Sequence, residues 1–177
     1  ETIATVCEEL IKASVKKIII GEWVERPLKI NFGGKDGVEG AQIKRRIELL
    51  NKKYGTKIYL INLFDHTSYF ASIKSLTKLK TLEIPDLVYN ADALISIGCL
   101  KTHHAPSPVT FGMKNLLGLL PTTIYGEPRV ILHHAGIHQV IADLIKGIRP
   151  VLTIIDGSFG LEGEGPTTFF GGKPVDM

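Results

Sequence analysis

Amphipathic helical patterns that lead into short β-branched runs constrain the fold of this chain most strongly. From Thr2 to Ala13 the apolar residues recur with the period of one helix face, and the run Ile18–Ile20 follows, closed by Gly21. The same order returns with a helix predicted over Val38–Tyr54 and a strand over Lys57–Leu63. Helices and strands in alternation are typical of a parallel sheet covered by helices.

Similar patterns predict the remaining elements of the chain. Glycines and a proline predict a long connection over residues 22–38. A strand buried on both faces is predicted over Val151–Asp156, because its apolar run does not alternate, and a glycine-rich loop follows it. The other predicted elements are extended segments near Phe70–Ile73 and Thr81–Ile84, a helical turn over Pro85–Asn90, a strand from Ala93, a helix over Phe111–Leu119 capped by Thr110 and ended by Pro121, an irregular stretch over residues 122–132, and a helix over Gly136–Gly147.

This order predicts an α/β fold with an open, mainly parallel sheet covered by helices. The chain has 177 residues, of which 44% are hydrophobic, so it can bury one sizeable core, and we expect a single domain over residues 1–177. It opens without Met, directly in a helical pattern, and stops just after a glycine-rich stretch. We therefore expect a fragment of a longer protein, truncated at both ends.

Composition excludes several classes of protein. The net charge of +3 is spread along the chain, so nothing indicates a nucleic-acid partner. Cys7 and Cys99 lie far apart, and two cysteines alone cannot hold an iron–sulfur cluster or a zinc ribbon. No apolar run approaches the roughly 18 residues of a membrane span, and no signal pattern opens the chain. We expect a cytoplasmic protein with no membrane partner.

The apolar run that begins at Ala93 ends in a polar cluster, which is the first candidate site. In open α/β sheets, ligands bind outside the carboxyl ends of the strands. Lys101, Thr102 and His103 follow the run directly, and five of the six histidines lie between residues 103 and 138. Such side chains can hold a ligand or transfer protons; the alternative is a solvated loop. The other strand ends expected at this edge are Gly21–Glu22, Asp65–His66 and Asp156–Gly157.

Lys114 and Asn115 stand near the start of the helix predicted after this loop. The N–H groups and the dipole of a helix start, beside a lysine, favour an anionic group such as a phosphate or a carboxylate. We therefore predict that both residues contact the ligand. An exposed lysine on an ordinary helix is the alternative.

Histidines supply the candidate metal ligands. His104, His133 and His134 could bind a divalent metal through their imidazoles, although the glutamate of the HExxH motif is missing. Helix caps or surface histidines are the alternative. Cys99 continues the apolar strand, so we expect its side chain to be packed rather than to bind metal.

Glycines and carboxylates follow the last predicted strand. The stretch from Asp156 to Pro166 is neither G-x-G-x-x-G nor a P-loop, which disfavours nucleotide binding by those two devices. Its glycines would let the backbone approach a ligand, while carboxylates could act as a base or bind metal; a structural turn is the alternative. The candidate residues are Asp156, as a catalytic group, and Gly157, Glu162, Gly163 and Gly165, as cofactor-binding groups.

Three of these motifs resemble those of a widespread, uncharacterised family of prokaryotic domains. They are K-T-H at Lys101–His103, K-N-x-x-G at Lys114–Gly118 and I-D-G…E-G-x-G-P over Ile155–Pro166. Members of that family are often associated with ferredoxin-like 4Fe-4S modules, so the resemblance implies a ferredoxin-like partner. This chain has no cysteine-rich module, and we expect no iron–sulfur cluster within it.

A more distant similarity is to the N-terminal domain of nickel-pincer lactate racemases. In that family a strand-end histidine, a cofactor-bearing lysine and a metal-binding histidine follow an earlier His-Asp pair. His103, Lys114 and either His133 or His134 stand here in the same order. Asp65–His66 has the reversed order of the earlier pair, and the glycine-rich run before that family's lysine is missing. The similarity implies a metal-dependent chemistry.

The preferred hypothesis is an enzyme-like domain that binds a small anionic substrate or a phosphorylated cofactor at the strand ends. Lys101 and Lys114 would hold the anion, His103 would act as general acid or base, and Asp156 with Glu162 would orient a ligand or a metal. The alternatives are a metal- or redox-associated module that serves an iron–sulfur protein, and a non-catalytic interaction domain or homo-oligomer.

Overall fold

A computed structural model describes residues 1–23, 38–103, 108–126, 129–165 and 171–176. The chain forms two compact units, Glu1–His66 and Thr67–Met177. The single domain expected over residues 1–177 stays a prediction. Most of the long connection predicted over residues 22–38, and His104, lie outside the described residues.

The first unit has the helix–strand alternation that its sequence predicts. Its two strands pair in parallel, with Lys17 opposite Lys57, and a single apolar cluster supports them. Asn51 fixes the second helix to the second strand, because its side chain donates to Ile58 O at 2.9 Å and accepts from Ile58 N at 2.9 Å. The elements are α1 (Thr2–Lys12), β1 (Lys17–Glu22), α2 (Val38–Tyr54), β2 (Lys57–Asn62) and the short α3 (Leu63–His66).

The buried core of this unit consists of Cys7, Ile18, Ile47, Leu50 and Ile58. Burial raises the pKa of the Cys7 thiol to about 11, so this thiol stays protonated at neutral pH. Cys7 is therefore a packing residue and neither a nucleophile nor a metal ligand.

The second unit contains the predicted elements in the predicted order, and three that were not predicted. The extended segments, the helical turn and the strand after Ala93 lie where the sequence places them. The elements are β3 (Phe70–Lys74), β4 (Thr81–Pro85), α4 (Asp86–Tyr89), β5 (Ile95–Thr102), β6 (Val109–Thr110), α5 (Gly112–Asn115), a 3-10 helix (Leu116–Leu119), α6 (Thr122–Tyr125), α7 (Val130–Ile148), β7 (Leu152–Gly163) and β8 (Gly172–Asp176). The three that were not predicted are β6, α6 and β8.

These strands confirm the α/β class but form a sheet that is only partly parallel. Strands β3 and β4 make an antiparallel hairpin, and the remaining four have the order β6-β5-β7-β8. Strands β5 and β7 are parallel, whereas both edge strands are antiparallel to their neighbours. The connections that lead to β6 and β8 are too short for the crossover that a parallel pair requires. In this unit the sheet is therefore only partly parallel, which corrects the prediction of a mainly parallel sheet.

The helix predicted over Phe111–Leu119 is shorter and begins differently. Thr110 does not cap it, since Thr110 lies in β6 and pairs there with Lys101 of β5. Phe111 stands at the N-cap with no hydrogen bond from its side chain, and the α-helical turn gives way to a 3-10 turn after four residues. The stretch 122–132 is also more regular than predicted, because it contains α6 and the start of α7.

Helix α7 begins six residues before the predicted start. At Gly136 its backbone leaves the helical region, with φ 105° and ψ 84°, and then resumes. Glycine tolerates this conformation because it has no Cβ. The kink explains why the sequence pattern restarts at Gly136, since a second helical segment begins there. Among the described helices, none has both the length and the low polarity that crossing a membrane would require.

Strand β7 runs well past its predicted end at Asp156. It continues to Gly163 because β8 pairs with residues 159–163, so most of the predicted glycine-rich loop is strand. The strand is also not buried on both faces, since Leu152 is 49% exposed. Helix α5 covers the face that carries Thr153, whose side chain lies against Gly112.

A buried carboxylate joins α7 to the turn between β3 and β4. Asp143, 5% exposed, accepts hydrogen bonds from Ser75 Oγ at 2.7 Å, Leu76 N at 2.8 Å and Gln139 Nε2 at 2.8 Å. Burial by itself raises the pKa of this carboxyl, but the three hydrogen bonds outweigh that effect and hold it below its ordinary value. The carboxylate form therefore stabilises the folded unit.

We expect Asp143→Asn to lower the free energy of unfolding by about 1–3 kcal/mol at about pH 7, since a buried charged acceptor is lost. The folded pKa is depressed, so this stabilisation is present above the ordinary aspartate pKa of about 3.9 and disappears as the pH falls through the folded value. Urea unfolding at neutral and acid pH measures the difference. The exposed Asp92→Asn is the control, and an equal loss at both pH values would contradict the assignment.

Candidate functional site

A cleft of about 250 Å³ lies at the carboxyl end of β5, within the second unit. It is bounded by the β5–β6 pair, by α5 with the 3-10 helix, and by the first turns of α7. The lining residues are Lys101, His103, Thr110, Lys114, Asn115, Leu117, Gly118, Arg129, Leu132, His133 and Ile137. Of the residues predicted from sequence, Lys101, His103, Lys114, Asn115 and His133 therefore share one cleft.

The β5–β6 pair positions Lys101 and His103. Lys101 stands opposite Thr110, directly after an irregularity in the pairing of β5 with β7 between Cys99 and Lys101. Just beyond the strand, His103 N donates to Pro108 O at 2.8 Å. The backbone of both residues is therefore held by the pairing, although the loop between them and β6 includes residues outside the described part.

Asn115 fixes α5 to the central strand. Its Nδ2 donates to Ser96 Oγ at 3.1 Å and to Ile97 O at 3.1 Å. Its side chain also lies over Gly98, where an added Cβ would stand 3.5 Å from Asn115 Cγ. The sequence predicted Asn115 as a ligand-binding residue, but its amide hydrogens serve the fold. Its effect on the cleft is to hold the preceding Lys114 in the cleft wall.

Gly112 lets α5 approach the sheet closely. A Cβ at this position would stand 1.9 Å from Thr153 Cγ2 and 3.0 Å from Thr153 Cβ, so rotation of the threonine alone cannot make room. Ser96 Oγ also donates to Gly112 O at 3.2 Å. Glycine at this place therefore sets the distance between α5, which carries Lys114, and the strands below it.

We expect Gly112→Ala to destabilise the protein by about 1–3 kcal/mol, because the new methyl group overpacks the contact with Thr153. Gly118→Ala is the matched control in the adjoining 3-10 helix, since its Cβ would meet no atom within 4 Å. That variant should be neutral or slightly stabilising. Thermal unfolding of both proteins measures the difference, and equal melting temperatures would show that α5 adjusts without cost.

Arg129 was not predicted from the sequence, yet its side chain lines the cleft and binds the 3-10 helix beside it. Its Nε donates to Leu120 O at 2.6 Å and its Nη2 to Gly118 O at 3.0 Å. These carbonyls lie at the end of the 3-10 helix, where a cation also interacts favourably with the helix dipole. Arg129 has a left-handed backbone with φ 66° and precedes the first residue of α7. No local pattern in the sequence distinguishes it from other surface arginines.

The cleft is cationic. Lys101, Lys114 and Arg129 all line it, together with His103 and His133, and no lining residue in the described part of the chain carries a carboxylate. Burial lowers the pKa of Lys114 below its ordinary value, and the charge of Lys101 lowers it further. The cleft therefore holds positive charges close together, and both burial and the neighbouring charge of Lys101 disfavour the charged form of Lys114.

The cleft also has an apolar side and a buried hydroxyl. Leu132 and Ile137, 0% and 3% exposed, form the wall contributed by α7, and Leu117 adds to it. Thr110 Oγ1 is buried and has no hydrogen-bond partner among the described residues. A ligand with one charged end and one small apolar end would match both sides.

Two of the predicted residues, Thr102 and Gly165, make contacts within the fold and are not among the lining residues of the cleft. Thr102 Oγ1 donates to Leu161 O at 3.0 Å, which joins the ends of β5 and β7. Gly165 is buried against the same strand end, where a Cβ would stand 2.0 Å from Thr102 O. The glycine thus permits a close approach, as predicted, but to backbone rather than to a ligand.

The carboxylates of β7 also lie away from the cleft lining. Asp156 stands opposite Cys99 in the register, and alternation along the strand places it on the face opposite Thr153 and α5. Its Oδ1 accepts from Ser158 N at 2.9 Å. Glu162 is exposed and stands opposite Lys173 of β8. The strand-end position predicted for Asp156 is wrong, because the strand continues past it; Gly157 and Gly163 also lie within β7.

Of the three predicted metal ligands, the structure describes two. His133 lines the cleft and His134 is exposed on α7, while His104 lies outside the described residues. Within the described part of the chain, no three His, Cys, Asp or Glu side chains are grouped so that they could hold a metal. Cys99 is exposed rather than packed, which corrects its predicted place in the core. The metal site and the convergence of Gly21–Glu22 and Asp65–His66 on this cleft stay predictions.

The fold and the cleft define an α/β domain with a cationic site at a strand end. The chain belongs to the family described as Domain of unknown function (DUF362), which it matches over residues 1–177. The resemblance to an uncharacterised family is thereby confirmed. No curated protein and no solved structure matches the chain significantly.

Proposed function

We propose that the second unit binds a small anionic molecule in this cleft through a carboxylate or phosphate group. The observation that carries the proposal is the convergence of Lys101, Lys114 and Arg129 on one concave surface. Like charges held close together in a half-buried cleft repel one another, so an anion between them lowers the free energy of the site. Charge-assisted hydrogen bonds from ammonium and guanidinium groups would supply the affinity.

The proposed roles of the lining residues follow from their chemistry. Lys101, Lys114 and Arg129 hold the anion, and Thr110 offers a hydroxyl that can donate or accept. His103 is the proposed general acid or base, since an imidazole can exchange a proton near neutral pH. His133 stands at the rim, where it is exposed and can contact an entering ligand.

The dimensions of the cleft bound the ligand. A volume of about 250 Å³ lies at the small end of ligand-binding clefts, which span about 300–1,000 Å³. The apolar wall of Leu132 and Ile137 favours a small hydrocarbon part opposite the charged group. We therefore propose a compact organic anion rather than a dinucleotide.

NMR titration tests the proposal with probes of defined charge. Inorganic phosphate and propionate should shift the amide signals of Lys101, His103 and Gly118, and added NaCl should weaken the effect because it screens the charges. The signal of Lys78, in the exposed turn between β3 and β4, is the internal control. If neither probe shifts the cleft signals at low ionic strength, the proposed function is wrong.

A further inference from the structure

Lys114 lines the cleft from the short helix α5, whereas Lys101 and Arg129 reach it from other elements. Arg129 gives hydrogen bonds to two backbone carbonyls, and Lys101 stands on a paired strand. Lys114 sits on the short helix α5 and lines the same cleft as the apolar residues Leu117 and Leu132. A small ligand whose charged end meets Lys101 and Arg129 can therefore bring its next atoms to Lys114.

We propose that Lys114 is a nucleophile that forms an imine with the carbonyl carbon of a small oxo acid, whose carboxylate is bound by Lys101 and Arg129. This inference rests on the proposed anion binding and assigns the substrate class of the same cleft. The carboxylate and the carbonyl of such a compound are adjacent, so a cleft of about 250 Å³ lined by all three cations can hold the first near Lys101 and Arg129 and the second near Lys114.

Two features of the environment favour an uncharged amine at this position. Burial disfavours the ammonium form, and the neighbouring Lys101 disfavours it again, so the pKa of Lys114 is lowered. Partial desolvation and a second cation nearby are the two means by which lysines become nucleophiles for carbonyl compounds. The exposed Lys12 has the opposite shift, because its hydrogen bond with Glu9 raises its pKa.

The proposed step balances without any further reactant. The lone pair of Lys114 Nζ, after loss of its proton to a base, attacks the carbonyl carbon, and the π electrons of the C=O bond move to oxygen, which takes up a proton. The nitrogen then gives up a second proton and expels that oxygen, which takes up this proton and leaves as one water molecule, and a protonated C=N bond forms. His103 lines the same cleft and is the proposed carrier of these protons.

The position of Lys114 also restrains the reacting nitrogen. Asn115 fixes the helix to β5 through two hydrogen bonds, and Gly112 lets the helix sit close to β7. The side chain therefore starts from a fixed backbone, which lowers the entropic cost of reaching the bound carbonyl. The buried Leu132 and Ile137 limit water beside the C=N bond, which water would otherwise hydrolyse.

Borohydride trapping with pyruvate tests the proposal on the full chain. Hydride reduces an imine to a stable secondary amine, so intact-mass spectrometry should show about one adduct per chain, and peptide mapping should place it on Lys114. Lys114→Arg keeps the positive charge and should lose the adduct with an unchanged melting temperature. Acetone, which has the carbonyl but no carboxylate, should give at least about tenfold less adduct, a ratio that corresponds to about 1.4 kcal/mol.

Propionate separates this inference from the proposed function, because it has the carboxylate but no carbonyl. If propionate binds in the NMR titration and pyruvate leaves no adduct on Lys114, the imine inference is overturned and anion binding stands. If neither compound binds, both fail. An adduct of equal yield in Lys114→Arg, or one spread over exposed lysines, would also overturn the inference.

The pH dependence of trapping gives a second readout. The charged or titratable groups that line the cleft around Lys114 are Lys101 from β5, His103 after it, and Arg129 and His133 at the start of α7. Lys101→Met removes one of the two causes of the lowered pKa, so the rise of the trapping rate with pH should shift to higher pH. A profile that stays in place would show that Lys101 does not act on Lys114.

Discussion

Lys114→Met is expected to weaken anion binding strongly and to leave the melting temperature unchanged or slightly higher. The charge-assisted contact that disappears is worth about 1.5–3 kcal/mol, which weakens binding by about tenfold or more. Stability should not fall, because the folded pKa of this lysine lies below its ordinary value and its protonated form is therefore unfavourable in the folded state at neutral pH. Calorimetric titration with phosphate and thermal unfolding measure the two effects.

Lys78→Met is the matched control, since it makes the same change of charge at an exposed position in the same unit. It should leave both binding and stability close to those of the wild type. If Lys114→Met instead lowers the melting temperature by many degrees, Lys114 supports the fold and its assignment to ligand binding is wrong. Equal weakening by both variants would show that only the net charge matters.

Asn115→Asp is expected to lose both stability and anion binding. The substitution keeps the shape of the side chain but removes the amide donor, so a carboxylate would face Ile97 O and the buried Ser96. Leaving buried acceptors unpaired beside a new charge should cost about 2–5 kcal/mol in the free energy of unfolding. The added negative charge beside Lys114 would also compete with an anionic ligand. Urea unfolding and the phosphate titration measure the two losses.

Ser96→Ala is the control for this contact. It removes the hydroxyl that accepts from Asn115 and donates to Gly112 O, but leaves the bond from Asn115 to Ile97 O in place. We expect a smaller loss, about 1–2 kcal/mol, with anion binding retained. A stable Asn115→Asp protein would mean that α5 is held in place by other contacts and that Asn115 is available to a ligand.

The sequence predicted the elements of this chain better than their pairing. The helix over Val38–Tyr54 and the strands on either side of it follow from local periodicity, and the structure has them. The end of β7 was misplaced because glycines and polar residues after Asp156 are typical of a loop, whereas pairing with β8 keeps them extended. Strand pairing depends on residues distant in sequence, which no local pattern records.

In the candidate site, too, the residues with local sequence signals were predicted and those that depend on distant contacts were missed. Lys101, His103 and Lys114 were predicted because a strand end and a helix start have local signals, and they line one cleft. Arg129 and the apolar wall from α7 were missed, since they reach the cleft only through packing of a distant helix. The residues that follow Asp156 in the sequence predicted a strand end there. Strand β7 continues instead, and its alternation puts Asp156 on the face opposite Thr153 and α5.

The sequence by itself determined the α/β class, the family and the stretch that supplies the cationic groups. Only the tertiary structure decided which of these groups share a cleft. The reason is physical: periodicity is a property of a few neighbouring residues, whereas the cleft requires the fit of Gly112 on Thr153 and the hydrogen bonds of Asn115 to β5. Those contacts bring Lys114 beside Lys101 and under α7, and so they create the environment that lowers its pKa.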